Sequence, residues 1–154
     1  MFNLPDNAIL VGSAAFFSDY PDFKPHDLDY ISVVEEDPFP FIKKNDWSRF
    51  ILHSPGRDLI FIKKQSKEQF LDTSNIETDL PMHVGKFLVP AFLDLIGLTI
   101  EDLPRLQPLI DRLDPRHEYE KIIYDAYIHN GDFTLTQQQR DAAYNSYKAA
   151  RLKD

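Results

Sequence analysis

Residues 9–31 read ILVGSAAFFSDYPDFKPHDLDYI, and the reading of this stretch decides the fold. It begins with the end of an apolar run, Ala8-Ile9-Leu10-Val11, which stops abruptly at Gly12-Ser13. A short helix-capable piece, Ala14-Ala15-Phe16-Phe17, follows, then a polar loop marked by Pro21 and Pro25, then Asp27-Leu28-Asp29-Tyr30-Ile31. Strand side chains alternate between faces, so a strand over 27–34 would point Asp27 and Asp29 one way and Leu28, Tyr30 and Ser32 the other. Two carboxylates on one face repel each other, and a hard cation between them relieves the repulsion. Magnesium takes one or two carboxylates plus substrate phosphates, which suits such a pair. Gly12-Ser13 supplies a second grip. A strand that turns tightly into a helix aims backbone N–H groups at one point, glycine allows close approach of a ligand, and the Ser13 hydroxyl can donate to a phosphate oxygen.

Working outward, Ala8–Val11 and Asp27–Val34 are expected strands, and Glu35-Glu36-Asp37-Pro38 ends the second. Prolines at 38 and 40 make 39–46 an edge or loop. Trp47–His53 (WSRFILH) alternates as a strand, Ser54-Pro55-Gly56-Arg57 is a turn, and Asp58–Lys63 (DLIFIK) is the return strand. This hairpin sets Asp58 at the start of a strand, where it can face Asp27 and Asp29 if the strands are neighbours.

Beyond Lys64 the pattern becomes helical. Val84, Phe87, Leu88, Ala91, Phe92 and Leu95 fall on one helix face, with Pro90 as a kink and Gly97 as the C-cap. Leu103, Leu106, Ile110 and Leu113 have helical spacing divided by Pro104 and Pro108. Tyr119, Ile122, Ile123, Ala126 and Tyr127 form another apolar face that ends at His129-Asn130-Gly131. Thr136 is the expected N-cap of a last helix carrying Ala143, Tyr147 and Ala150 on one side. The expected fold class is α/β (α+β): a small mixed sheet over 1–80, followed by a helical C-terminal region over 81–154 packed on it as one unit.

The order apolar–Gly-Ser, spacer, Asp-apolar-Asp-apolar resembles the signature of the DNA polymerase beta-like nucleotidyltransferase superfamily. It is carried by Val11, Gly12, Ser13, a spacer from Ala14 to His26, and Asp27, Leu28, Asp29, Tyr30. The superfamily also uses a third carboxylate on a later strand followed by apolar residues, and Asp58-Leu59-Ile60-Phe61-Ile62 fits. Glu77 and Asp79 are alternative third carboxylates in surroundings that read as loop. The chain departs from the family pattern in two places: His26 precedes Asp27 where a serine is common, and the loop after Gly-Ser holds Phe16, Phe17, Tyr20 and Phe23.

The resemblance implies a cytoplasmic, metal-dependent nucleotidyltransferase that moves a nucleoside monophosphate from a nucleoside triphosphate to an acceptor hydroxyl. Asp27, Asp29 and Asp58 would be the catalytic carboxylates and the ligands of Mg2+ or Mn2+. Gly12 and Ser13 would bind the nucleotide. The acceptor is left open among a protein side chain, a small molecule and a nucleic-acid end. The alternative from the same resemblance is a catalytically degenerate member acting as a regulatory or antitoxin-like binding partner of another protein. The lysine pairs Lys43-Lys44 and Lys63-Lys64, together with Lys86, are either a triphosphate clamp or solvated surface.

Composition sets bounds. The 154 residues hold 43% apolar and 27% charged side chains, ordinary for a soluble globular protein. The chain lacks cysteine, which excludes disulfides and thiolate metal sites and is compatible with a reducing compartment. Its five histidines show no zinc-ligand spacing. A net charge of −8 argues against extended duplex-DNA binding, which needs a basic face, and suits a basic protein partner. No stretch is long and apolar enough for a membrane span, and residues 1–6, MFNLPD, lack the basic start and apolar core of a signal peptide.

Overall fold

In a computed structural model the described residues are 4–25, 27–43, 49–64, 66–71, 88–113 and 115–152. The chain divides into two compact units, Met1–Gln65 and Ser66–Asp154. The boundary expected from sequence, between 80 and 81, falls outside the described residues.

The first unit is a four-stranded mixed sheet with one short helix. Strands β1 (Ile9–Val11), β2 (Leu28–Val34), β3 (Arg49–Ser54) and β4 (Arg57–Lys63) lie in the order β1-β2-β4-β3. β1 runs antiparallel to β2, β2 parallel to β4, and β3 antiparallel to β4. The parallel pair is central, and β4, buried at four successive positions, Leu59, Ile60, Phe61 and Ile62, reads as a continuous apolar run rather than clean alternation. Val11, Ile31, Ile60 and Ile62 are buried on one face, and Leu59, Phe61 and Ser32 on the other. Helix α1 (Ser13–Phe17) adds buried Ala14, Phe16 and Phe17. Phe39, in the proline-marked segment, meets Phe61 edge-on at 5.5 Å between ring centroids. Ser32 is fully buried, and its hydroxyl donates to Asn7 Oδ1 at 2.8 Å, while Asn7 Nδ2 donates to the Val33 carbonyl at 2.9 Å. The buried hydroxyl is thus satisfied, and the segment before β1 is tied to β2.

The second unit is helical. Helix α2 (Lys67–Phe70) starts with a Ser66/Gln69 capping box. Helix α3 (Pro90–Leu95) begins at Pro90 rather than being kinked by it. A residue before proline is pushed out of the α region, and Val89 is extended (φ −69°, ψ 125°), so the proline occupies the first helical position, where its missing N–H costs nothing. Val84 and Phe87 lie outside the described residues. At the other end of α3, Gly97 N–H donates to Asp94 O at 3.1 Å and Leu98 N–H to Leu93 O at 2.9 Å, a Schellman closure with Gly97 at φ +77°. A 3-10 helix over Ile100–Leu106, with Pro104 inside it, leads into α4 (Gln107–Ile110), with Pro108 in its first turn, so the segment changes between 106 and 107 rather than dividing at either proline.

Helices α5 (Glu118–Asn130) and α6 (Gln137–Leu152) complete the unit. Gly131 ends α5 in the left-handed conformation, and Thr136 caps α6 by accepting from Gln139 N–H at 3.1 Å. The hydroxyls of Tyr124 and Tyr127 donate to the carbonyls of Leu103 (3.3 Å) and Leu88 (2.9 Å), which ties α5 to the preceding segments. Burial holds both phenols above their usual range. No helix among the described residues is long and apolar enough to cross a membrane.

Candidate functional site

β1 carries the chain to Gly12, which adopts φ +74° and ψ −160°, a conformation that is essentially glycine's alone. Val11 is the pairing partner of Asp29 on β2, so Gly12 turns directly beside that carboxylate. The approach is close: a Cβ added to Gly12 would stand 3.1 Å from Asp29 Oδ2. Two constraints therefore converge on this glycine, the backbone angle and the space beside Asp29. Ser13 opens α1, a helix of five residues whose N-cap lacks a side-chain hydrogen bond.

The parallel register of β2 and β4 makes Asp29 and Asp58 direct neighbours. Partners in register point to the same face, so the two carboxylates lie side by side at the N-terminal ends of the central strands. The next residues of that face, Ile31 and Ile60, are buried, so the pair stands at the rim of an apolar layer. Asp58 was expected at the start of a strand, and it is the second residue of β4.

Asp27 is placed differently from the expectation. β2 begins at Leu28, so Asp27 sits exposed in the bend leading into the strand, and strand alternation orients Asp29 alone. The ladder begins where Leu28 N–H meets the Gly56 carbonyl at 2.9 Å, which leaves Asp27 just outside it. Asp27 remains two positions from Asp29 at the same end of the sheet. His26, Glu77, Asp79, Lys44 and Lys86 lie outside the described residues.

Lys63 and Lys64 are not gathered with the carboxylates. Lys63 ends β4, five residues or about 16 Å of strand from Asp58, and Lys64 follows it. Lys64 pairs there with Glu35 at 3.3 Å. Phe16 and Phe17 belong to the core, and Phe17 meets Tyr20 and Phe23 at ring-centroid distances of 6.1 and 6.3 Å.

Sequence reasoning missed one neighbour of the site. The hairpin joining β3 to β4 sets His53 opposite Asp58, and His53 Nδ1 lies 2.8 Å from Asp58 Oδ1. Its signal was the hairpin itself: two strands closed by Pro55-Gly56 pair the residues flanking the turn, Ser54 with Arg57 and then His53 with Asp58.

Among the described residues, no three His, Asp or Glu side chains form a group placed to hold a metal ion. Magnesium, however, asks the protein for only one or two carboxylates when a nucleotide supplies the remaining oxygens. Asp29 and Asp58 lie adjacent on one face, beside a glycine whose Cβ space is taken up by Asp29, and Asp27 is the nearest further carboxylate in sequence. Comparison with protein-family models, curated proteins and solved structures returned no match.

Proposed function

We propose that the protein is a nucleotidyltransferase. It transfers a nucleoside monophosphate from a nucleoside triphosphate to an acceptor hydroxyl and releases pyrophosphate. The observation that carries this reading is the in-register pairing of Asp29 with Asp58 beside the Gly12 turn. Three segments distant in sequence deliver a glycine turn and two carboxylates to one end of the sheet, in the chain order that the superfamily resemblance calls for.

Asp27 and Asp29 would hold the divalent ions, Mg2+ or Mn2+, and Asp58 would hold the one at the acceptor hydroxyl. When bound, the ions supply Lewis acidity: they lower the pKa of the attacking hydroxyl and neutralise charge on the departing pyrophosphate. Gly12 and Ser13 would receive the triphosphate, the glycine by making the tight turn out of β1 and the serine by its hydroxyl. The acceptor oxygen bonds to the α-phosphorus as the bond to the β-phosphate bridge breaks, and the hydroxyl proton leaves to solvent. The acceptor may be sought among protein side chains, small molecules and nucleic-acid ends, in a cytoplasmic setting that the cysteine-free composition suits.

A second reading is a degenerate, regulatory member that binds another protein. The observation favouring it is that Asp27 lies outside β2, exposed in the bend before the strand, rather than on the strand with Asp29. The two readings separate on turnover. Incubation with each α-labelled nucleoside triphosphate, magnesium and a pool of acceptors should release pyrophosphate and transfer label with wild type, but not with Asp29→Asn. Equal transfer by both proteins would sink the assignment.

A further inference from the structure

We propose that His53 is a positioning residue for Asp58: its imidazole takes up one carboxylate oxygen and thereby turns the other toward the cation that Asp29 and Asp58 would share. The proposal rests on the reading of that carboxylate pair given above. Its own ground is the hairpin. Pro55-Gly56 closes β3 onto β4, and Gly56 takes φ +76°. This fixes the register that makes His53 and Asp58 direct partners, with Nδ1 2.8 Å from Oδ1.

The chemistry of the contact is defined by its two atoms. An ionised carboxylate only accepts hydrogen bonds, so Nδ1 must carry the proton and donate it to Oδ1. A carboxylate left alone turns through a broad, nearly two-fold torsion, and either oxygen can face a ligand. A donor fixed at Oδ1 removes that equivalence and sets the plane of the group. Asp29, the neighbour on β2, lies on the same face, so a fixed Asp58 presents its remaining oxygen beside a second carboxylate.

Exposure separates this role from a structural one. The His53 side chain is 72% exposed and that of Asp58 20%. A pair in which the histidine is this exposed adds little to stability. A contact of good length that contributes little to the fold, placed on one carboxylate of a candidate cation pair, has its consequence in ligand geometry. Outer partners of ligating groups typically set affinity by about 10- to 100-fold.

The test is a titration of the full chain with manganese ion alone, read from the paramagnetic resonance signal of the free ion, for wild type, Asp29→Asn, His53→Ala and His53→Asn. Melting temperatures are measured on the same proteins in chelator. His53→Ala should bind manganese about 10- to 100-fold more weakly with an unchanged melting temperature. His53→Asn should restore most of the affinity, because its amide Nδ2 can donate from about the place of the imidazole Nδ1. Wild-type affinity, or tighter binding, in His53→Ala would overturn the proposal and leave the carboxylate reading standing. Loss of melting temperature together with affinity in both His53 variants would also overturn it, as the mark of a hairpin fastening. Manganese binding that Asp29→Asn does not weaken, or none in wild type even with a nucleoside triphosphate present, would refute the carboxylate reading itself, and the role of His53 would fall with it.

Discussion

Replacing Gly12 by alanine tests the local geometry of the site through two separate costs. The first is the backbone. At φ +74° and ψ −160° a residue with a Cβ is strained by about 1–3 kcal/mol. The second is space, since the new Cβ would meet Asp29 Oδ2 at 3.1 Å, inside the ordinary contact distance, and the carboxylate would have to move by a few tenths of an ångström. Gly131→Ala is the control. That residue has a similar φ of +75°, but its Cβ space is open, and its cost is about 1–2 kcal/mol from handedness alone. For a chain of this size each kcal/mol moves the melting temperature by about 2–4 °C. Gly12→Ala should therefore lower it by about 2–12 °C and by more than Gly131→Ala does. Urea denaturation followed by circular dichroism gives the free energies directly. Because Asp29 must shift, the Gly12 variant should also lose nucleotide affinity at temperatures where it remains folded. A Gly12→Ala protein as stable as wild type, or no more damaged than Gly131→Ala, would refute the description of this turn.

Three further outcomes follow from the second unit. Tyr127→Phe removes the donor to the Leu88 carbonyl at 2.9 Å and should cost about 1–2 kcal/mol in urea denaturation, because the acceptor stays buried. Thr136→Ala removes the cap of α6 and should cost about 1 kcal/mol, with faster amide exchange at Gln139, whose N–H the Thr136 hydroxyl accepts. The Thr99 N–H and then Lys67 hold the Asp102 carboxyl down at about 2, below its ordinary 3.8. A lowered carboxyl stabilises the fold above its unfolded pKa and loses that contribution as pH falls through the folded one, so the loss should run from about pH 4 down to about pH 2. A carboxyl NMR titration should place the Asp102 midpoint near the lower value and move it upward in Lys67→Ala.

The sheet was legible where periodicity and turn chemistry agreed. Ile9–Val11 and Arg57–Lys63 announced themselves by apolar runs bounded by Gly12-Ser13 and Pro55-Gly56. The register that joins Asp29 to Asp58 was not legible, because strand pairing between residues this far apart is set by packing on both faces of the central strands rather than by any local pattern. β2 starts at Leu28, one residue later than the expected Asp27, since nothing in DLDYI marks where the ladder to β4 begins. Pro90 was taken as a kink because the apolar spacing continues through it, but its effect on Val89 makes it a start. His53 was invisible as a neighbour of the site for a simpler reason: alternation gave the strand, but only the two-residue turn gave the partner. The partners of the Tyr124 and Tyr127 hydroxyls were not legible, because they are main-chain carbonyls that no sequence pattern marks.

The measurement that bears most directly on the carboxylate site is thermal unfolding of the wild type and of the double variant Asp27→Asn/Asp29→Asn, with each nucleoside triphosphate, with and without magnesium or manganese. A ligand at about 100 times its dissociation constant adds about 2.7 kcal/mol, or about 5–11 °C in a chain of this size. The account predicts a shift for wild type that requires the metal and is absent in the double variant. No shift with any nucleotide in folded wild type, or an equal shift in the double variant, would contradict it.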